Sequence, residues 1–189
     1  SYLANYGIVG IERIDTRSLT KLIRSKGAQK AVISTKDLDP ESLLKKVQSS
    51  EGIVGTDLVT EVSCEKPYSW NEGTHSWRPL DEKDLQADET FKVVAYDFGL
   101  KQNILRKLKD HGCEVTVVPS RTPPNEVLAL DPDGIFLSNG PGDPAAVAYA
   151  VESIRTLLGK KPIFGICLGH QILSLALGAK TYKLKFGHR

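Results

Sequence analysis

The chain has 189 residues, 40% hydrophobic and 25% charged, with 25 basic against 23 acidic side chains and a formal net charge of +2. That composition suits a soluble globular protein of one or two domains. It offers no net charge to draw in a polyanion, and there is no apolar run of about 18 residues to span a membrane.

Three cysteines, an odd number, form no disulfide framework. A reducing cytoplasm is the expected compartment. The N-terminus, Ser1-Tyr2-Leu3-Ala4-Asn5, lacks a charged-then-apolar signal pattern. No methionine occurs anywhere, so the sequence is expected to be a piece of a longer protein.

Residues 1–66 mix short elements. Asp15 can cap a helix whose apolar positions Leu19, Leu22 and Ile23 sit at helical spacing, with Gly27 just past its end. Ala31-Val32-Ile33-Ser34 predicts a strand. Asp39-Pro40, an N-cap followed by proline at the first helical position, opens a helix carrying Leu43, Leu44 and Val47. Arg13, Asp15, Arg17 and Arg24 are expected to be solvated or interface charges. Residues 67–90 are polar, bear Pro and Gly and lack periodicity, which predicts a linker holding His75 and Trp77.

From residue 91 strands and helices alternate. Lys92–Asp97 predicts a strand, followed by a helix with Ile104, Leu105 and Leu108 that stops at Gly112. Glu114–Pro119 predicts the next strand, then a short helix with Val127 and Leu128. Ile135–Ser138 runs as a strand into Asn139-Gly140-Pro141-Gly142-Asp143-Pro144. A helix with Val147, Val151, Ile154, Leu157 and Leu158 ends at Gly159. The strand Pro162-Ile163-Phe164 leads into Gly165-Ile166-Cys167-Leu168-Gly169-His170-Gln171 and a helix closed by Gly178. Lys180–Lys183 predicts a last strand. Alternation at these lengths predicts an α/β fold, a parallel sheet with helices on both faces, preceded by a smaller α+β domain.

Ligands of such sheets bind beyond the carboxyl ends of the strands. Three loops lie there: Asp97-Phe98-Gly99, Ser138–Pro144, and the turn around Cys167. A cysteine between glycines at −2 and +2, on a strand-to-helix turn, has the layout of a nucleophile elbow. The sharp turn leaves room only for small residues on either side. A cysteine at a helix N-terminus is also favoured as thiolate. The glycines of Asn139–Pro144 let backbone N–H groups face a ligand, and its prolines fix the path, as an oxyanion hole requires. No G-x-G-x-x-G or P-loop lysine motif occurs, which argues against NAD or ATP binding on this chain.

The stretch Pro162–Gln171 resembles class I (triad-type) glutamine amidotransferase domains. Asn139–Pro144, Asp97-Phe98-Gly99-Leu100-Lys101-Gln102-Asn103-Ile104 and Gly10-Ile11-Glu12-Arg13-Ile14-Asp15-Thr16-Arg17-Ser18-Leu19-Thr20 narrow the resemblance to the glutamine-hydrolysing small subunits of carbamoyl-phosphate synthase. It covers essentially the whole chain. It implies a flavodoxin-like domain at 91–189, truncated at its C-terminus, behind a partial partner-contact domain at 1–66 and the linker 67–90.

It further implies that Cys167 attacks the side-chain amide of L-glutamine and that the N–H groups of Gly142 and Leu168 hold the oxyanion. Gly140, Gly142, Leu168 and Gln171 would line the glutamine site. Water would hydrolyse the thioester. Ammonia would pass to a large subunit that uses ATP, Mg²⁺ and bicarbonate to make carbamoyl phosphate for arginine and pyrimidine synthesis. No metal or cofactor is expected on this chain, and no nucleic-acid or membrane partner.

One departure stands out. The family's catalytic His and Glu lie well beyond the elbow, whereas this sequence stops 22 residues after Cys167. His170, His188, His75 and His111 do not match them, so the chain by itself is expected to be inactive. Three alternatives are an amidotransferase domain of another synthase (anthranilate or GMP), a non-catalytic glutaminase-like scaffold, and a different thiol hydrolase such as a peptidase. The first 66 residues argue against the other synthases, and the intact Cys167 against the scaffold.

Overall fold

The computed structural model describes residues 2–74, 89–185 and 187. Expectations for His75, Trp77 and His188 lie outside the described residues. The chain divides into two compact units, one of residues 1–52 with 182–189 and one of residues 53–181.

The first unit holds helices α1 (Tyr2–Asn5), α2 (Thr16–Lys26) and α3 (Pro40–Ser49). Both expected caps form. Asp15 accepts Ser18 N–H at 2.9 Å, and Asp39 accepts the N–H groups of Glu41 and Ser42, with Pro40 in the first turn. Gly27, at φ 91°, closes α2. Neither α2 nor α3 contains a buried residue. Residues 31–34 are not a strand. Their β-branched composition is only a preference, and among the described residues the first unit holds no strand to complete a ladder.

The second unit is built on a five-stranded sheet. In chain order it comprises α4 (Val59–Val62), β1 (Tyr68–Trp70), β2 (Phe91–Asp97), α5 (Gln102–Asp110), β3 (Cys113–Pro119) and α6 (Pro124–Ala129). Then follow β4 (Gly134–Leu137), a 3-10 turn (Pro144–Ala146), α7 (Ala148–Leu157), β5 (Ile163–Gly165) and α8 (Leu168–Ala176). The strand order is β1-β3-β2-β4-β5. The ladders β2–β3, β2–β4 and β4–β5 are parallel, and β1 runs antiparallel to β3.

Side-chain alternation along the strands makes two cores. Val94, Tyr96, Ile135 and Leu137 pack on one face with Val127, Ile154, Leu157 and Ile172 of α6, α7 and α8. Ala95, Val115, Val117 and Phe136 pack on the other with Leu105 of α5. Helices thus cover both faces of a mostly parallel sheet, the expected flavodoxin-like layout. The crossover leaving β2 runs to β3, and the chain then returns across β2 to β4. This puts the reversal of strand order between β2 and β4, where such sheets bind ligands.

The boundaries differ from those expected. Tyr68–Trp70, inside the expected linker 67–90, is the edge strand β1, paired Tyr68 to Val117 and Trp70 to Val115. The polar stretch after it is anchored as well, since Thr74 is buried and its amide donates to Asp110 at 2.9 Å. Val59 belongs to the core beside Phe98 and Leu168. Residues 53–66 therefore lie with the sheet rather than with the first unit. At the other end, residues 180–183 are exposed and form no strand, and residues 182–189 group with the first unit.

Candidate functional site

The elbow is set by how closely α8 approaches β4. Ile166 N–H donates to Leu137 O at 3.0 Å, extending the sheet one residue past β5. The chain then turns sharply. Cys167 has φ 55° and ψ −112°, a conformation that L residues avoid, and is the N-cap of α8. Gly169 N–H donates back to Ser138 O at 3.0 Å, and Gln171 N–H to Cys167 O at 3.0 Å. These bonds hold the strained residue from both sides.

The two flanking glycines are required by contact. A Cβ on Gly165 would lie 2.6 Å from the Gly169 carbonyl carbon, and one on Gly169 would lie 2.2 Å from Leu137 O. Cys167 itself is exposed, while Leu168 is buried beneath it. The turn therefore presents the sulfur outward, as the glycine spacing predicts.

Three loops meet at this point. Gly140 is wedged between them, since a Cβ there would stand 2.1 Å from Phe98 O and 2.7 Å from Leu168 Cδ2. Ser138, fully buried, accepts Phe98 N–H at 2.9 Å through its hydroxyl and donates to Asn139 O at 2.8 Å. Asn139 accepts Lys101 N–H and donates to Gly99 O, both at 3.0 Å. Asp97, at the end of β2, accepts the N–H groups of Gly99 and Leu100 on one oxygen and that of Cys64 on the other, all at 2.9 Å. The loops after β2 and β4 are thus cross-braced.

Among the described residues, the N–H groups of Gly142 (φ 90°) and Leu168 donate to no acceptor. Gln171 is exposed on α8, one turn beyond Cys167. Cys167, Leu168 and Gln171 therefore lie together at one end of α8, and Gly140 rests on Leu168.

The surroundings separate the cysteines. Burial pushes the Cys64 thiol up to about 11, helped by the nearby Asp97 carboxylate. Burial also raises Cys113. Tyr68 is raised by burial and by Asp97. An open cleft of about 370 Å³ lies beside this group, lined by Val62, Tyr68, Asp97, Leu100 and Pro141; Cys167 is not among its walls. His170 is exposed, and no hydrogen bond joins it or His111 to Cys167. Among the described residues no three His, Cys, Asp or Glu side chains gather as a metal site, and no helix is long and apolar enough to cross a membrane.

Sequence reasoning missed Ser138, Asp97 as an acceptor, and the reach of Asp143, whose carboxylate accepts Gly55 N–H at 3.1 Å. An Asp before Gly at a strand end is an Asx-turn signal that could have found Asp97. The other two depend on residues far away in the chain.

Comparisons with known proteins give two family matches and a set of relatives. Residues 94–189 match the family model described as glutamine amidotransferase class-I, and residues 1–33 that of the carbamoyl-phosphate synthase small chain, CPSase domain. A carbamoyl phosphate synthase small chain of Syntrophotalea carbinolica is 60% identical over 100% of this chain and 50% of its own length. One from Vibrio cholerae is 53% identical over 99% and 50%. A chloroplastic one from Oryza sativa is 50% identical over 99% and 42%. The chain spans about half the length of the curated relatives it matches.

Proposed function

The chain belongs to the class-I glutamine amidotransferase family, and on that premise we propose that it is the nucleophile-bearing half of a glutamine-hydrolysing carbamoyl-phosphate synthase small subunit. Match along the whole chain to small chains of that synthase supports the choice of family member. The observation that carries the chemistry is the backbone of Cys167, strained at φ 55° on an exposed helix tip. Strain of this kind persists only where neighbouring structure enforces it, and it clusters at reacting groups.

In this reading Cys167 Sγ bonds to the side-chain amide carbon of glutamine. Charge on the carbonyl oxygen is taken up by the unengaged N–H groups of Gly142 and Leu168. Gly140 and Gln171 complete the walls around the substrate. The C–N bond breaks as the nitrogen gains a proton, and ammonia leaves. Water then attacks the thioester, giving glutamate and the free thiol. An amide is a poor leaving group, so a general acid is needed as well as a nucleophile. That acid and base, a histidine with its carboxylate, is assigned to the part of the relatives' length that this chain does not span. Ammonia goes on to a large subunit, where ATP, Mg²⁺ and bicarbonate are bound and carbamoyl phosphate is made.

The test is glutamine hydrolysis by the full-length protein carrying this sequence, with and without Cys167→Ser, together with labelling by a glutamine-mimicking chloroketone. Selective labelling of Cys167 and loss of hydrolysis in the variant are expected. Hydrolysis that survives Cys167→Ser sinks the proposal.

A further inference from the structure

The carboxylate of Asp143 holds two parts of the second unit together. Its Oδ1 accepts Ala145 N–H at 3.0 Å, capping the 3-10 turn that follows the Gly140–Gly142 loop. Its Oδ2 accepts Gly55 N–H at 3.1 Å, from a residue 88 positions earlier. A cap needs only one oxygen, so the second bond has another consequence.

Gly55 begins a strap, residues 55–64, that crosses the carboxyl ends of three strands. Each crossing is bonded. Cys64 N–H donates to Asp97 at the end of β2, Ser63 Oγ accepts Ser120 N–H after β3, and Gly55 N–H reaches Asp143 after β4. The strap is stiff in between. Asp57 accepts the N–H groups of Val59 and Thr60, and Val59 is buried in the core. Gly142 stands against this strap, since a Cβ there would lie 3.4 Å from Thr56 O and 3.5 Å from Leu58 Cβ.

The geometry points to Asp143 as a positioning residue for glutamine hydrolysis, its bond to Gly55 setting the direction of the Gly142 N–H. The inference rests on the proposed role of that N–H at the oxyanion. An oxyanion donor acts through its fixed aim at charge that develops only in the transition state. Loosening it lowers kcat more than it raises KM.

Asp143→Asn and Asp143→Ser separate the two bonds. Both keep an oxygen for Ala145 N–H; Asn can turn an NH2 toward Gly55 N–H, and Ser is too short to reach it. In full-length protein, both variants are expected to lower kcat for glutamine hydrolysis about tenfold, with KM within about threefold of wild type. Asp143→Ala should do no worse than these by more than a few fold. Wild-type kcat in Asn and Ser, with the loss confined to Ala, overturns the inference, because the carboxylate is then only a cap. A rise in KM at unchanged kcat overturns it equally. Cys167→Ser, assayed in parallel, distinguishes the two layers. Turnover surviving in Cys167→Ser removes the underlying reading, whereas an inactive Cys167→Ser beside a fully active Asp143→Asn removes only the strap's role.

Discussion

Gly169→Ala should destabilise the protein although it replaces a helical glycine. The added methyl would stand 2.2 Å from Leu137 O, 2.5 Å from its carbonyl carbon and 2.7 Å from its Cβ. Ordinary contact begins at 3.4 Å, so α8 and β4 must part by about 1.2 Å. The carbonyl cannot simply rotate, because it accepts Ile166 N–H at 3.0 Å. Overpacking of a core against backbone costs about 3 kcal/mol. Helix propensity returns about 1 kcal/mol. The net loss of about 2 kcal/mol lowers the melting midpoint of a chain this size by about 6 °C. Differential scanning calorimetry of residues 1–189 is the assay. Gly134→Ala serves as control, since its Cβ meets only Pro162 O at 3.8 Å; its midpoint should stay within about 2 °C of wild type. A midpoint for Gly169→Ala at or above wild type would refute the claim that the elbow is held by backbone contact.

Two further measurements probe the surroundings. Asp110 is buried, which pushes its carboxyl up, yet the hydroxyl and N–H of Thr74, with Lys107, outweigh this and hold it below the ordinary carboxylate value. A depressed folded-state value contributes stability above the unfolded value, near about 4, which is lost as pH falls through the folded one. Thr74→Val should therefore cost about 1 to 2 kcal/mol at pH 7, and urea unfolding should show the gap to wild type closing below about pH 4; a gap that does not narrow in acid contradicts this. Iodoacetamide at pH 8 should modify exposed Cys167 well before Cys64 and Cys113, whose thiols burial raises. Mass spectrometry of the peptides reads the order, and equal rates at Cys64 would be inconsistent with its value of about 11.

Much of this protein could be recognised from local spacing alone. Asp15 and Asp39-Pro40 cap helices as their sequences predict, because a cap is made with residues two or three positions away. The elbow was legible for the same reason: Gly165, Cys167 and Gly169 carry their own turn. The parallel sheet also followed from alternating apolar runs, whose periods are properties of single segments.

Strand partnership was decided elsewhere. Residues 31–34 and 180–183 have the composition of strands and form none, while Tyr68–Trp70, set in a stretch without periodicity, becomes β1 because β3 offers it an open edge. The strap from Gly55 to Cys64 shows the same division. Nothing in its own composition marks it, yet it closes over the ends of β2, β3 and β4 through bonds to Asp97, Ser120 and Asp143. The amino-acid sequence alone determined where Cys167 is presented, since a tight turn depends on near neighbours. Only the tertiary structure decided what braces the amides beside it, since hydrogen bonds across tens of residues exist only once the chain has closed on itself.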